Sequence, residues 1–89
     1  MITEQLKIIN KLGLHARAAA KMATLTNTFS CNIEVTANSK NVDGKSVMAL
    51  MLLAAAKETS ITIECSGSDE IIAMKNICAL INNFFGEEE

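Results

Sequence analysis

Apolar and polar side chains alternate along some stretches of this chain and recur at helical spacing along others. Residues 2–9 alternate loosely, with Leu6 and Ile8 on one side and Gln5 and Lys7 on the other, which predicts a first strand. Asn10 to Gly13 breaks that pattern. From Ala16 the period changes: Ala19, Met22, Ala23, Thr26 and Phe29 fall on one face of a helix expected to run to about Thr28. Cys31, Ile33, Val35 and Ala37 then alternate cleanly with polar neighbours, a second strand. Asn38-Ser39 reads as a tight turn into a short third strand at residues 40–42. Asp43-Gly44-Lys45 is loop chemistry, and Ser46 stands where an N-cap would open a second helix at Val47. Ile61, Ile63 and Cys65 mark a fourth strand. Ser68-Asp69-Glu70 opens a third helix with acids in its first turn, as the helix dipole favours. Its apolar stripe is expected through Ile71, Met74, Ile77, Cys78, Ile81 and Phe84. The tail Gly86-Glu87-Glu88-Glu89 is expected to stop it and to fray.

The order is β-α-β-β-α-β-α, with no proline and no low-complexity segment. Each strand offers one apolar face and each helix one stripe. The economical solution is an α+β open-faced sandwich: a four-stranded, mostly antiparallel sheet with three helices on one face. With 89 residues, 49% of them apolar, one domain over residues 1–89 with one core is expected. The longest apolar run, Val47 to Ala56, is too short to span a bilayer, and residues 1–14 hold no continuous apolar block of the signal-peptide kind. A cytoplasmic protein without membrane or nucleic-acid partners is the expectation. Ferredoxin-like folds share part of this order, so topology alone selects no function.

Charge and cysteine usage narrow the picture slightly. The formal net charge of −2 argues against general nucleic-acid binding. Its distribution is uneven: residues 1–45 sum to +3 and residues 46–89 to −5. A basic, phosphate-handling end on an acidic protein has this form. The three cysteines, Cys31, Cys65 and Cys78, are odd in number and form no CxxC pair, which fits buried reduced thiols. Neither a metal nor a cofactor is expected.

The single histidine lies in Lys11-Leu12-Gly13-Leu14-His15-Ala16-Arg17-Ala18. There a strand-to-helix turn would set an imidazole beside unpaired backbone N–H groups and the positive end of the helix dipole. Such a place favours an anion, and Arg17 adds a fixed positive charge. Gly13 permits the sharp turn and Ala16 leaves the helix end open. No serine-histidine-aspartate set or metal constellation accompanies His15. Reversible attack on phosphorus remains as its chemistry.

Gly13-Leu14-His15-Ala16-Arg17, followed by Lys45-Ser46-Val47-Met48 and later by Ser66-Gly67-Ser68-Asp69-Glu70, resembles the HPr phosphocarrier family of the bacterial phosphotransferase system. The resemblance covers nearly the whole chain and implies an HPr-like fold. One departure is visible: the family usually has proline after the arginine, where this chain has Ala18. Alanine there keeps the helix and frees one more N–H donor. The resemblance implies that His15 accepts phosphate on Nδ1 from phosphorylated Enzyme I and passes it to an Enzyme IIA protein, with Arg17 stabilising it. It also implies that Ser46 is open to an HPr kinase/phosphorylase, that the protein has no turnover of its own, and that sugar uptake or a nitrogen-related branch is the destination. A monomer is expected.

The second helix adds a separate clue. Val47, Met48, Ala49, Leu50, Met51, Leu52 and Leu53 are apolar all round, and so small a domain cannot bury every face. Exposure of Met48 and Met51 is expected, with Val47, Met48, Met51 and Lys21 as partner-binding residues; methionines suit a patch that docks on several proteins. Two other classes compete: an acylphosphatase-like hydrolase, and a regulatory binding module that never carries phosphate.

Overall fold

The computed structural model describes residues 1–88. Its elements are β1 (Ile2–Lys7), α1 (Ala16–Thr26), β2 (Asn32–Ala37), β3 (Lys40–Asp43), α2 (Val47–Leu52), β4 (Ser60–Ser66) and α3 (Glu70–Asn82), followed by a short turn at Phe84–Gly86. The strands form one sheet in the order β1-β4-β2-β3. All three pairings are antiparallel, with Ile2 opposite Cys65, Ile33 opposite Cys65 and Val35 opposite Val42. The β-α-β-β-α-β-α order and the open-faced α+β sandwich follow the sequence pattern.

The register explains why one face is covered. Ile33, Val35 and Ala37 on β2 and Ile61, Ile63 and Cys65 on β4 are buried, while Asn32 and Glu34 between them are exposed. Period-2 alternation puts all six apolar side chains on the helix side. There they meet Ala19, Met22 and Ala23 of α1, Leu50 of α2, and Ala73, Met74, Ile77 and Ile81 of α3. Asn38 and Ser39 both have positive φ, 50° and 65°, as a two-residue type I′ hairpin requires. Cys31 and Cys65 lie inside this core as free thiols, and Cys78 is half-buried. Burial pushes the Cys65 thiol up to about 11, helped by the neighbouring Cys31, so it stays protonated at neutral pH.

Three local expectations are corrected. Ile71, placed on the buried stripe of α3, is 74% exposed; Ala73 joins the expected Met74, Ile77 and Ile81 on the buried face. At the third-helix terminus Phe84 is only half-buried, and Phe85 is the residue sealed in the core. The helix ends before it, and Phe84, Phe85 and Gly86 adopt positive φ of 57°, 53° and 78°. Two non-glycine residues in this region cost roughly 1–2 kcal/mol each. Burial of the whole Phe85 ring, worth about 1.5–3 kcal/mol, offsets much of that. Lastly, the tail is not frayed at Glu87, which is fixed by hydrogen bonds; Glu89 lies outside the described residues.

Candidate functional site

The site is built around the loop from Asn10 to His15. Asn10 is fully buried, and its Nδ2 donates to the carbonyl of Gly13 at 2.8 Å, closing the loop on itself. Gly13 has φ +69° and passes so close to the α2–β4 connection that a Cβ would lie 2.6 Å from the Ala55 carbonyl oxygen. Leu14 N–H donates to that same carbonyl at 2.8 Å. Only glycine satisfies both the turn and the close approach. The loop is thereby pinned, and the chain enters α1 at His15.

His15 is the N-cap of α1, with extended backbone (φ −81°, ψ −177°), and its side chain makes no capping hydrogen bond. Its carbonyl accepts the first helical bond, from Ala19 N–H at 2.8 Å. The amides of Ala16, Arg17 and Ala18 therefore precede the first intrahelical donor and face the positive end of the helix. The imidazole is 28% exposed. With the exposed Arg17 and Lys11 it lines an open cleft, whose far wall is Gly86, Glu87 and Glu88. Ala18, at the position where proline is usual, is fully buried against the core.

The wall contributed by the C-terminus was not foreseen. Glu87 Oε2 lies 2.5 Å from His15 Nε2, and Glu87 Oε1 accepts from Asn10 Nδ2 at 2.9 Å. Burial pushes the Glu87 carboxyl up, yet the hydrogen bonds from Asn10 and His15 and the charges of His15 and Arg17 outweigh it and hold it below the ordinary range. An ionised carboxylate only accepts, so Nε2 carries the hydrogen of this contact. His15 Nδ1 has no hydrogen-bond partner among the described residues. Lys21 also belongs to this wall: its Nζ donates to the Phe85 carbonyl at 2.9 Å and fastens the turn that delivers Glu87. No sequence signal marks a contact between positions 72 residues apart.

Ser46 is elsewhere on the surface. It N-caps α2, and its Oγ accepts from Ala49 N–H at 3.1 Å. From α2 protrude Met48, 77% exposed, and Leu52, 66% exposed, with Met51 and Val47 partly so. A shallow groove lined by Leu12, His15, Ala16 and Met51 joins this apolar surface to the histidine. Met51 and His15 thus line one groove, while Arg17 lines the neighbouring cleft with His15.

These features define a one-sided α+β sandwich that presents a single, half-exposed imidazole at an uncapped helix start. Comparison with known proteins agrees. A family model described as "PTS HPr component phosphorylation site" matches residues 2–83. The chain is 49% identical over 89 residues to the phosphocarrier protein HPr of Neisseria meningitidis serogroup A, covering 100% of each. It is 38% identical to the phosphocarrier protein NPr of Shewanella violacea, over 97% of this chain and 94% of the other. The crystal structure of an HPr from Thermoanaerobacter tengcongensis superposes with a TM-score of 0.95 at 37% identity, covering 100% of both chains. The chain belongs to the HPr phosphocarrier family of the phosphotransferase system.

Proposed function

We propose that this protein carries a phosphoryl group on His15, accepting it from phosphorylated Enzyme I and passing it to an Enzyme IIA protein. The observation that carries this reading is the imidazole itself, half-exposed at an uncapped helix N-terminus beside Arg17. Phosphoryl transfer needs in-line positioning and stabilisation of charge on the equatorial oxygens. Three amides without a partner among the described residues and a guanidinium supply the charge stabilisation, and the partner proteins supply the alignment. A carrier of this kind turns nothing over by itself, and residues 1–89 act as one HPr-like domain. The apolar surface of Val47, Met48 and Met51 is its docking patch, used as a monomer in the cytoplasm.

Ser46 is the proposed regulatory site, a substrate for an HPr kinase/phosphorylase. A dianionic phosphate at a helix N-terminus leaves the helix intact and changes the charge presented to partners. Its position beside the protruding Met48 supports an effect on docking.

The test is incubation with Enzyme I and phosphoenolpyruvate. The carrier gains one acid-labile, base-stable phosphate, and His15→Ala gains none. Catalytic release of inorganic phosphate without Enzyme I would mean a hydrolase, and binding to partners without any phosphate uptake would mean a pure binding module. A second reading, a nitrogen-related carrier, draws support from the 38% identity to an NPr, against 49% to an HPr. Offering the phosphorylated protein to sugar-specific and nitrogen-related Enzyme IIA proteins separates the two by which is phosphorylated faster.

A further inference from the structure

The Glu87 carboxylate stands where a carrier histidine would least be expected to keep a negative charge, because the incoming phosphoryl group is itself anionic. It is nevertheless held there firmly. Asn10, fully buried and tied to Gly13, donates to Oε1, while Oε2 engages His15 Nε2. The Glu87 side chain is only 10% exposed. Two left-handed phenylalanines and the Lys21–Phe85 hydrogen bond fix the backbone that delivers it. Glu88, next in the chain, is exposed and has neither contact.

The consequence lies in the ring. With the hydrogen on Nε2, the lone pair of a neutral imidazole resides on Nδ1, the nitrogen without a hydrogen-bond partner among the described residues. We propose, building on the carrier reading above, that Glu87 is a positioning residue for phosphoryl transfer. It directs nucleophilicity to Nδ1 and holds the positive charge that the ring acquires while the phosphoryl group is attached. The Nδ1 lone pair forms the new N–P bond as the bond between phosphorus and the donor atom breaks, and that electron pair leaves with the donor. The Nε2 proton stays on His15 throughout, held by Glu87 Oε2. In onward transfer the acceptor's lone pair attacks phosphorus and the N–P pair returns to Nδ1. An orienting carboxylate behind a histidine plays the same part in hydrolase triads, where it fixes the tautomer and stabilises the imidazolium.

The test compares the full chain with its Glu87→Ala, Glu87→Gln and Glu34→Ala variants, using Enzyme I and phosphoenolpyruvate for rate and ¹⁵N imidazole shifts of His15 for the tautomer. The parent and Glu34→Ala, whose side chain is exposed on β2 away from the cleft, should hold the Nε2–H tautomer and react at equal rates. Glu87→Ala should mix the tautomers and slow phosphate uptake about 10-fold, the low end of the cost when a metal-bound histidine loses its orienting partner. Glu87→Gln, whose amide oxygen still accepts from Nε2–H, should keep the tautomer, lose the charge and fall between them. A Glu87→Ala protein with unchanged tautomer and rate would overturn the proposal. So would a faster variant, which would make the tail a cover over the histidine. A parent chain that takes up no phosphate would bring down the carrier reading as well, so the two failures are distinguishable.

Discussion

Two helices of this protein begin in similar chemical circumstances and end up with different capacities. At α2, Ser46 turns its own hydroxyl back onto Ala49 N–H, so the first turn is closed by the residue that starts it. At α1, the N-cap is a histidine whose ring points elsewhere, and no side chain among the described residues closes the helix start. An N-cap serine stabilises by about 1 kcal/mol. The α1 start forgoes that stabilisation and keeps open donors and a positive field where an anion can bind. A third helix takes yet another course. Asp69, the N-cap of α3, makes no bond to its own helix and accepts instead from Ser30 N–H at 2.8 Å and Cys31 N–H at 2.9 Å, stapling α3 to the start of β2. The same structural problem is thus answered by self-capping, by tertiary stapling and by an open start, and the open start is where the proposed phosphoryl chemistry is placed.

The contrast can be broken at its foundation first. Gly13→Ala puts a Cβ 2.6 Å from the Ala55 carbonyl oxygen and demands φ +69° of a non-glycine residue. It should destabilise the protein by about 1–3 kcal/mol in a denaturant titration, and shift His15 out of register with its amides. A smaller effect is expected at the capped helix. Ser46→Ala should cost about 1 kcal/mol while leaving phosphate uptake by His15 unchanged, since the two helix starts work independently. If Ser46→Ala also slowed uptake in the absence of any serine phosphorylation, that independence would be lost.

The smallest effect belongs to the stapled helix and is one of pH. Hydrogen bonds from Ser30 N–H lead the causes that hold the Asp69 carboxyl below its ordinary value of 3.8. A group depressed on folding contributes stability that is complete above its unfolded pKa and disappears as pH falls through the folded one. Asp69→Asn should therefore remove a modest part of the acid-induced loss of stability below about pH 4, and leave the slope near neutrality alone. Thermal melts between pH 7 and pH 2 would show it. An unchanged acid limb would mean that the staple adds nothing.

Much of this was legible along the chain because strands β2 and β4 alternate without a break and Gly13, His15 and Ser46 occupy positions with local geometric meaning. Local signals suffice for such features: a turn, a cap and a period are each written in a few consecutive residues. The stripe of the third helix is legible at Met74, Ile77 and Ile81 and misread at its two ends, Ile71 and Phe84. Ala73 contributes a buried surface that a search for large apolar residues passes over, and Ile71 is the larger but outer side chain. At Phe84-Phe85 nothing local says which ring turns inward; the core decides, and it takes Phe85. The role of Glu87 was beyond reach for a stronger reason. Three glutamates after a glycine look like a solvated tail, and only the folded arrangement brings one of them against Asn10 and His15.

The open start of α1 is tested most directly by amide spectra of the protein before and after phosphorylation of His15. The amide protons of Ala16, Arg17 and Ala18 should move strongly downfield as they donate to the phosphoryl oxygens, while Ala49, already bonded to Ser46, stays in place. Unmoved amides at 16–18, with the changes confined to the imidazole and the C-terminal turn, would contradict the idea that the uncapped helix holds the phosphate.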